Sequence, residues 1–81
     1  MTIIVKLFAI VREAAGVSEL SIDLAEGSTV ADARDELPRR LPALAPHLSG
    51  CAFAVNRNYS TASARLSDGD EVAVIPPVSG G

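Results

Sequence analysis

Two stretches of this 81-residue chain alternate cleanly between apolar and other side chains, and they lie at its opposite ends. In TIIVKLF, residues 2–8, Ile3, Val5 and Leu7 fall on one side and Ile4, Lys6 and Phe8 on the other. A period of two in a segment rich in β-branched residues predicts a strand, with Lys6 marking its wetter face. In EVAVI, residues 71–75, Val72 and Val74 alternate with Ala73 and Ile75, and the only charge stands at the entry. These two strands are the most apolar in the chain, so they are expected to pair in the middle of a sheet. Leu20, Ile22 and Leu24 against Ser21 and Asp23 predict another strand, which forms an amino-terminal hairpin with the first. The intervening AIVREAAGV has no period of two and closes on Gly16, as a turn or short helical loop does.

The pattern changes after Gly27. Val30, Ala33, Leu37 and Leu41 form a stripe at helical spacing, preceded by Ser28 or Thr29 as a cap, with Asp32 three residues after Thr29 as in a capping box. Pro38 interrupts the stripe and removes one backbone donor, so the helix ends near Leu37 or kinks there. PALAPHLSG predicts a second short helical piece ending at Gly50. CAFAVN predicts a third strand, with Phe53 and Val55 opposite Ala52 and Ala54. Asn56, Arg57 and Asn58 form a turn cluster, Tyr59 opens a short weak strand, and Asp68 with Gly69 makes a turn. The order is α+β: a mixed sheet of four to five strands with one main helix packed on one face, a β-grasp arrangement over residues 1–77. Residues 78–81 read as a flexible Gly-Gly tail.

Composition narrows the function classes. Ten acidic against seven basic residues give a net charge of −3 and a pI near 4.9, which disfavours a phosphate-binding surface and hence nucleic acid. The chain is 48% hydrophobic with a mean hydropathy of +0.29. Thirteen alanines supply much of that, and no apolar run approaches the roughly 18 residues of a membrane span. The first residues lack a basic leader and a cleavage site, so the expected location is cytoplasmic and off the membrane. One cysteine, Cys51, and one histidine, His47, provide neither a disulfide nor a zinc ligand set. Cys51 reads as an inert half-buried thiol, and His47 has no carboxylate partner in sequence. Asp68, Asp70 and Glu71 read as turn chemistry, since the other ligands of a calcium loop are missing. No triad, phosphate loop or metal motif is present, so the domain is expected to be catalytically inert alone.

The informative chemistry is at the end, IPPVSGG. Pro76 and Pro77 cannot donate to a ladder, so they end the last strand and project the next residues outward in extended form. Without a Cβ, Gly80 and Gly81 can thread a narrow channel and bring a carbonyl close to a nucleotide.

The FAIVRE segment after strand one, the AVNRN turn and the LSDGDEVAVIPPVSGG ending closely resemble the family of molybdopterin synthase small subunits, which are ubiquitin-like sulfur carriers. The resemblance runs over the whole chain and is strongest over residues 8–13 and 54–81. It implies that an adenylating enzyme activates the Gly81 carboxylate with ATP and that sulfur then displaces AMP to leave a thiocarboxylate. The carrier binds no cofactor of its own. It further implies that the tail, with Val78 against an apolar wall and Ser79 hydrogen-bonded to partner backbone, enters the large subunit of a heterotetrameric synthase. There the sulfur passes to cyclic pyranopterin monophosphate to build a dithiolene. The family's partner-facing positions fall on Phe8, Arg12, Tyr59 and Ile75, with Phe8 and Ile75 on the sheet face away from the helix. Two rivals share the Gly-Gly ending. One is a carrier for thiazole, cysteine or tRNA thiolation. The other is a ubiquitin-like modifier, for which the only lysine, Lys6, would offer a single chain-growth site at a buried edge.

Overall fold

The alternating segments from the two ends meet at the centre of one five-stranded mixed sheet. The computed structural model describes residues 1–77. The tail readings on Val78, Ser79, Gly80 and Gly81, and the boundary before them, lie outside the described residues. Strands β1 (Thr2–Leu7) and β5 (Glu71–Ile75) pair in parallel, Val5 opposite Val72 and Leu7 opposite Val74. A parallel pair cannot be closed by a tight turn, so the rest of the described chain runs between its two members. β2 (Glu19–Asp23) lies antiparallel to β1, β3 (Ala52–Val55) antiparallel to β5, and β4 (Asn58–Tyr59) antiparallel to β3. The spatial order is β2-β1-β5-β3-β4.

Register decides which side chains meet. Leu20, Val5, Val72 and Val55 form one row across the sheet, and Leu7, Val74 and Phe53 form the next. Helices α1 (Ala9–Ala15) and α2 (Val30–Arg40) and a 3-10 helix over Pro42–His47 bring Val11, Val30, Ala33, Leu37 and Leu44 into the same core. Most of these side chains are fully excluded from water, and Leu66, from the segment before β5, joins them. At about 1.5–3 kcal/mol for each large apolar side chain buried, the core rather than any staple holds the domain.

The start of α2 is built as expected. Asp32 N–H donates to Thr29 Oγ1 at 3.4 Å and Thr29 N–H donates to Asp32 Oδ2 at 2.8 Å, which completes the capping box. Replacing Thr29 by Ala is expected to cost about 1 kcal/mol. That lowers the melting temperature by about 4–8 °C in a domain of this size. A calorimetric scan in which Thr29→Ala melts with the wild type would show that the cap contributes nothing. Pro38 does not end the helix, which continues to Arg40. The carbonyl of Arg34 loses its usual partner there, but Leu37 is buried and Leu41 N–H donates to its carbonyl at 2.8 Å, so packing carries the last turn past the proline. The AIVREAA segment resolves as a true two-turn helix, ended by Gly16 at φ 77° with its N–H on the Arg12 carbonyl.

Candidate functional site

The sheet face away from the helices is built from residues that the alternation sends outward, and register sets them in a single row across all five strands. Glu19 lies opposite Lys6, Lys6 opposite Ala73, Ala73 opposite Ala54, and Ala54 opposite Tyr59. The two middle positions carry only methyl groups, while an ion pair stands at one end of the row and an aromatic ring at the other. Low centre and raised ends make a groove of about 520 Å³. Phe8 and Arg12 border it from α1 and its N-cap, Ile75 closes the end nearest Pro76 and Pro77, and Arg57 and Glu71 stand at the other end.

The four positions Phe8, Arg12, Tyr59 and Ile75 are therefore brought together around one concavity, although they come from three separate parts of the chain. Phe8 is not part of a strand. It is the N-cap residue of α1, in extended conformation, and Ala9 beyond it takes φ 51° as the chain turns from strand into helix. That turn leaves the Phe8 ring about half exposed, at 45%, beside the sheet. Tyr59 is 75% exposed on the two-residue edge strand, and Ile75 is half-buried. A cluster of exposed apolar groups beside a concave floor is the composition of a protein contact surface. Pro76 and Pro77 leave the sheet directly after Ile75. Pro77 runs beside Gly50, where an added methyl group would sit 3.8 Å from the Pro77 ring.

Lys6 donates to Glu19 Oε1 at 2.7 Å, and this bond, reinforced by the carboxylate charge, raises the lysine above its ordinary value of 10.5. A raised folded-state pKa means stabilisation that is complete below 10.5 and fades as pH climbs through the raised value. The gap in melting temperature between wild type and Glu19→Gln should therefore hold through neutral pH and close in the alkaline range above 10.5. A gap that stays constant across that range would show that the pair does not titrate as described. Lys6 also corrects one expectation: β1 is flanked on both sides, by β2 and β5, so the lysine stands on the open face of an interior strand and not at an edge.

The residues set aside on sequence grounds have structural partners. Cys51 Sγ donates to the His47 carbonyl at 3.1 Å, and partial burial raises its thiol pKa. Asp68 accepts from Thr2 N–H at 2.8 Å, and Asp70 accepts from Ser67 N–H at 2.8 Å and from Asn56 Nδ2 at 3.0 Å. Among the described residues no group of histidine, cysteine or carboxylate side chains could hold a metal ion, and no helix is long and apolar enough to cross a membrane. Sequence reasoning missed the floor, Ala54 and Ala73, and the charged border, Lys6, Glu19, Arg57 and Glu71. The available signal was alanine at outward positions of two strands, where larger residues are the rule.

Fold and groove together define a ubiquitin-like β-grasp domain whose open sheet face is hollowed beside the departure of its last residues. The chain belongs to the ThiS family, which it matches over residues 5–81. It is 43% identical over 77 residues to the molybdopterin synthase sulfur carrier subunit of Arabidopsis thaliana, covering 95% of this chain and 80% of that one. It is 42% identical over 83 residues to the protein of the same name from Chlamydomonas reinhardtii, covering all of both. The crystal structure of SAMP1 from Haloferax volcanii superposes with a TM-score of 0.93 at 31% identity over the full length of each chain. A chain in the complex of subunits 1 and 2 of molybdopterin-converting factor from Helicobacter pylori 26695 superposes at 0.73, with 26% identity over all of both chains.

Proposed function

We propose that this chain is the sulfur-carrier subunit of a molybdopterin synthase, non-catalytic alone and paired with a large subunit. The observation that carries the reading is likeness along nearly the whole chain to proteins of that name, with a family match that runs through to Gly81. The groove adds a physical reason: it offers a docking face with an apolar floor and a charged border, at the base of the segment that must reach a second active site. On this reading an adenylating enzyme first docks the same face. The Gly81 carboxylate attacks the α-phosphorus of ATP, pyrophosphate leaves, and a sulfur nucleophile then displaces AMP to give the thiocarboxylate. In the complex with the large subunit that sulfur is transferred to cyclic pyranopterin monophosphate. Each dithiolene needs two sulfurs, so the carrier must leave and be reloaded. Overlapping docking faces make loading and discharge alternate.

The test is reconstitution. Thiocarboxylated carrier, the large subunit of the same organism and cyclic pyranopterin monophosphate should yield molybdopterin with two carriers consumed per product. A carrier that forms no complex with that subunit and yields no product would overturn the reading. The likeness to SAMP1 favours a second reading, a protein modifier of the ubiquitin type. Isopeptide-linked conjugates of the chain on many cellular lysines would support that one.

A further inference from the structure

The β3–β4 connection is a two-residue turn, Asn56-Arg57, between the paired residues Val55 and Asn58. Both turn residues have positive φ, 49° and 72°, the geometry of a type I′ hairpin. The first position suits asparagine, and Asn56 is pinned to the start of β5. Its N–H donates to the Glu71 carbonyl at 2.8 Å, and its side-chain oxygen accepts from Glu71 N–H at 3.0 Å. The second position of such a turn favours glycine, because a Cβ crowds the backbone at φ 72°. Arginine occupies it. The strained residue is also exposed, lines the groove, and among the described residues its guanidinium forms neither a hydrogen bond nor an ion pair. The turn would close at least as well without this side chain, so closing the turn does not account for it.

Charge indicates what it meets. Three cations, Lys6, Arg12 and Arg57, and two carboxylates, Glu19 and Glu71, border the groove, which is therefore locally positive in a chain of net charge −3. Lys6 is already satisfied by Glu19. We propose that Arg57 is a specificity-determining contact of the carrier, held at a conformational cost in the β3–β4 turn so that its guanidinium pairs with a carboxylate of the large subunit docked in the groove. This rests on the carrier reading given above. The planar fork of a guanidinium matches a carboxylate in two parallel hydrogen bonds, which a lysine at the same place could not reproduce.

The experiment measures stability and binding on the same variants, with the purified large subunit of the same organism as the probe. Arg57→Gly should melt at or above the wild-type temperature, since glycine accepts the turn geometry, yet bind the large subunit about tenfold more weakly or worse. Arg57→Lys should recover part of that loss. The difference between wild type and Arg57→Gly should shrink as salt rises from about 0.05 to about 0.5 M, as screening of an ion pair requires. A wild-type complex that tolerates Arg57→Gly within about twofold at low salt would overturn the Arg57 contact alone. Absence of binding by the wild type would instead overturn the carrier reading, and the contact with it.

Discussion

Removal of Gly81, or addition of any residue after it, is expected to abolish sulfur transfer outright while leaving the melting temperature of the domain unchanged. Loss of transfer and unchanged stability have separate causes. On the proposed function, the chemistry would need a free carboxylate on a residue slender enough to approach a nucleotide and then a pterin. A shortened chain moves the acyl carbon one residue back, onto the wrong reach, and an extended one buries it in an ordinary peptide bond. Stability is indifferent because every core side chain lies between Ile3 and Val74. Thiocarboxylate formation followed by mass spectrometry, with molybdopterin synthesis as the second readout, decides the matter. A chain shortened by one residue that still supported full synthesis would remove the terminus from the mechanism.

Tyr59→Asp is expected to weaken association with the large subunit by more than about 2 kcal/mol, the scale of an interface hot spot. The ring stands at the raised end of the row that crosses the sheet, 75% exposed, on a strand of only two residues. Nothing in the core depends on it, so the free variant should fold normally. In a complex the aspartate would lose the apolar contact of the ring, be desolvated, and compete for Arg57 with the partner carboxylate proposed above, and these penalties set the size of the loss. Binding to the adenylating enzyme should fall in parallel if the two partners share the groove. Calorimetric titration against each partner separates the cases, and unchanged affinity for both in a folded variant would place Tyr59 outside the interface.

The elements legible in the sequence are those whose signal is local. The alternation of TIIVKL and EVAVI, the capping residues Thr29 and Asp32, and the turn at Asn56 each depend on a few neighbouring residues. Even the central pairing of the first and last strands could be reached from their apolar character. The fate of Pro38 could not, because the proline weakens a helix that Leu37 then holds by burial, and the balance is decided in three dimensions. The groove was half legible. Phe8, Arg12, Tyr59 and Ile75 are reached through family likeness, and the structure gathers them around one hollow. Alanine at outward positions was the only hint of the floor, because Ala54 and Ala73 become neighbours through the register of β3 on β5, which no single sequence displays. Arg57 was legible as a turn residue but not as a strained one, since the sign of φ depends on how the strands on either side pair.

The parallel pairing of β1 with β5 also governs the order in which the molecule comes apart. Joining Ile4 to Glu71 closes a loop nearly as long as the chain, so the sheet's middle cannot form early from local contacts, and the domain should fold slowly for its length. Once formed, that ladder can open only when almost everything else opens. Amide protons of Val72 and Val74 should therefore exchange with solvent through global unfolding alone, whereas those of the two-residue strand at Tyr59 exchange through local fraying. The strand that leads into Pro76 and Pro77 is thus a slow clock, and the ring at the raised end of the row sits on a fast one.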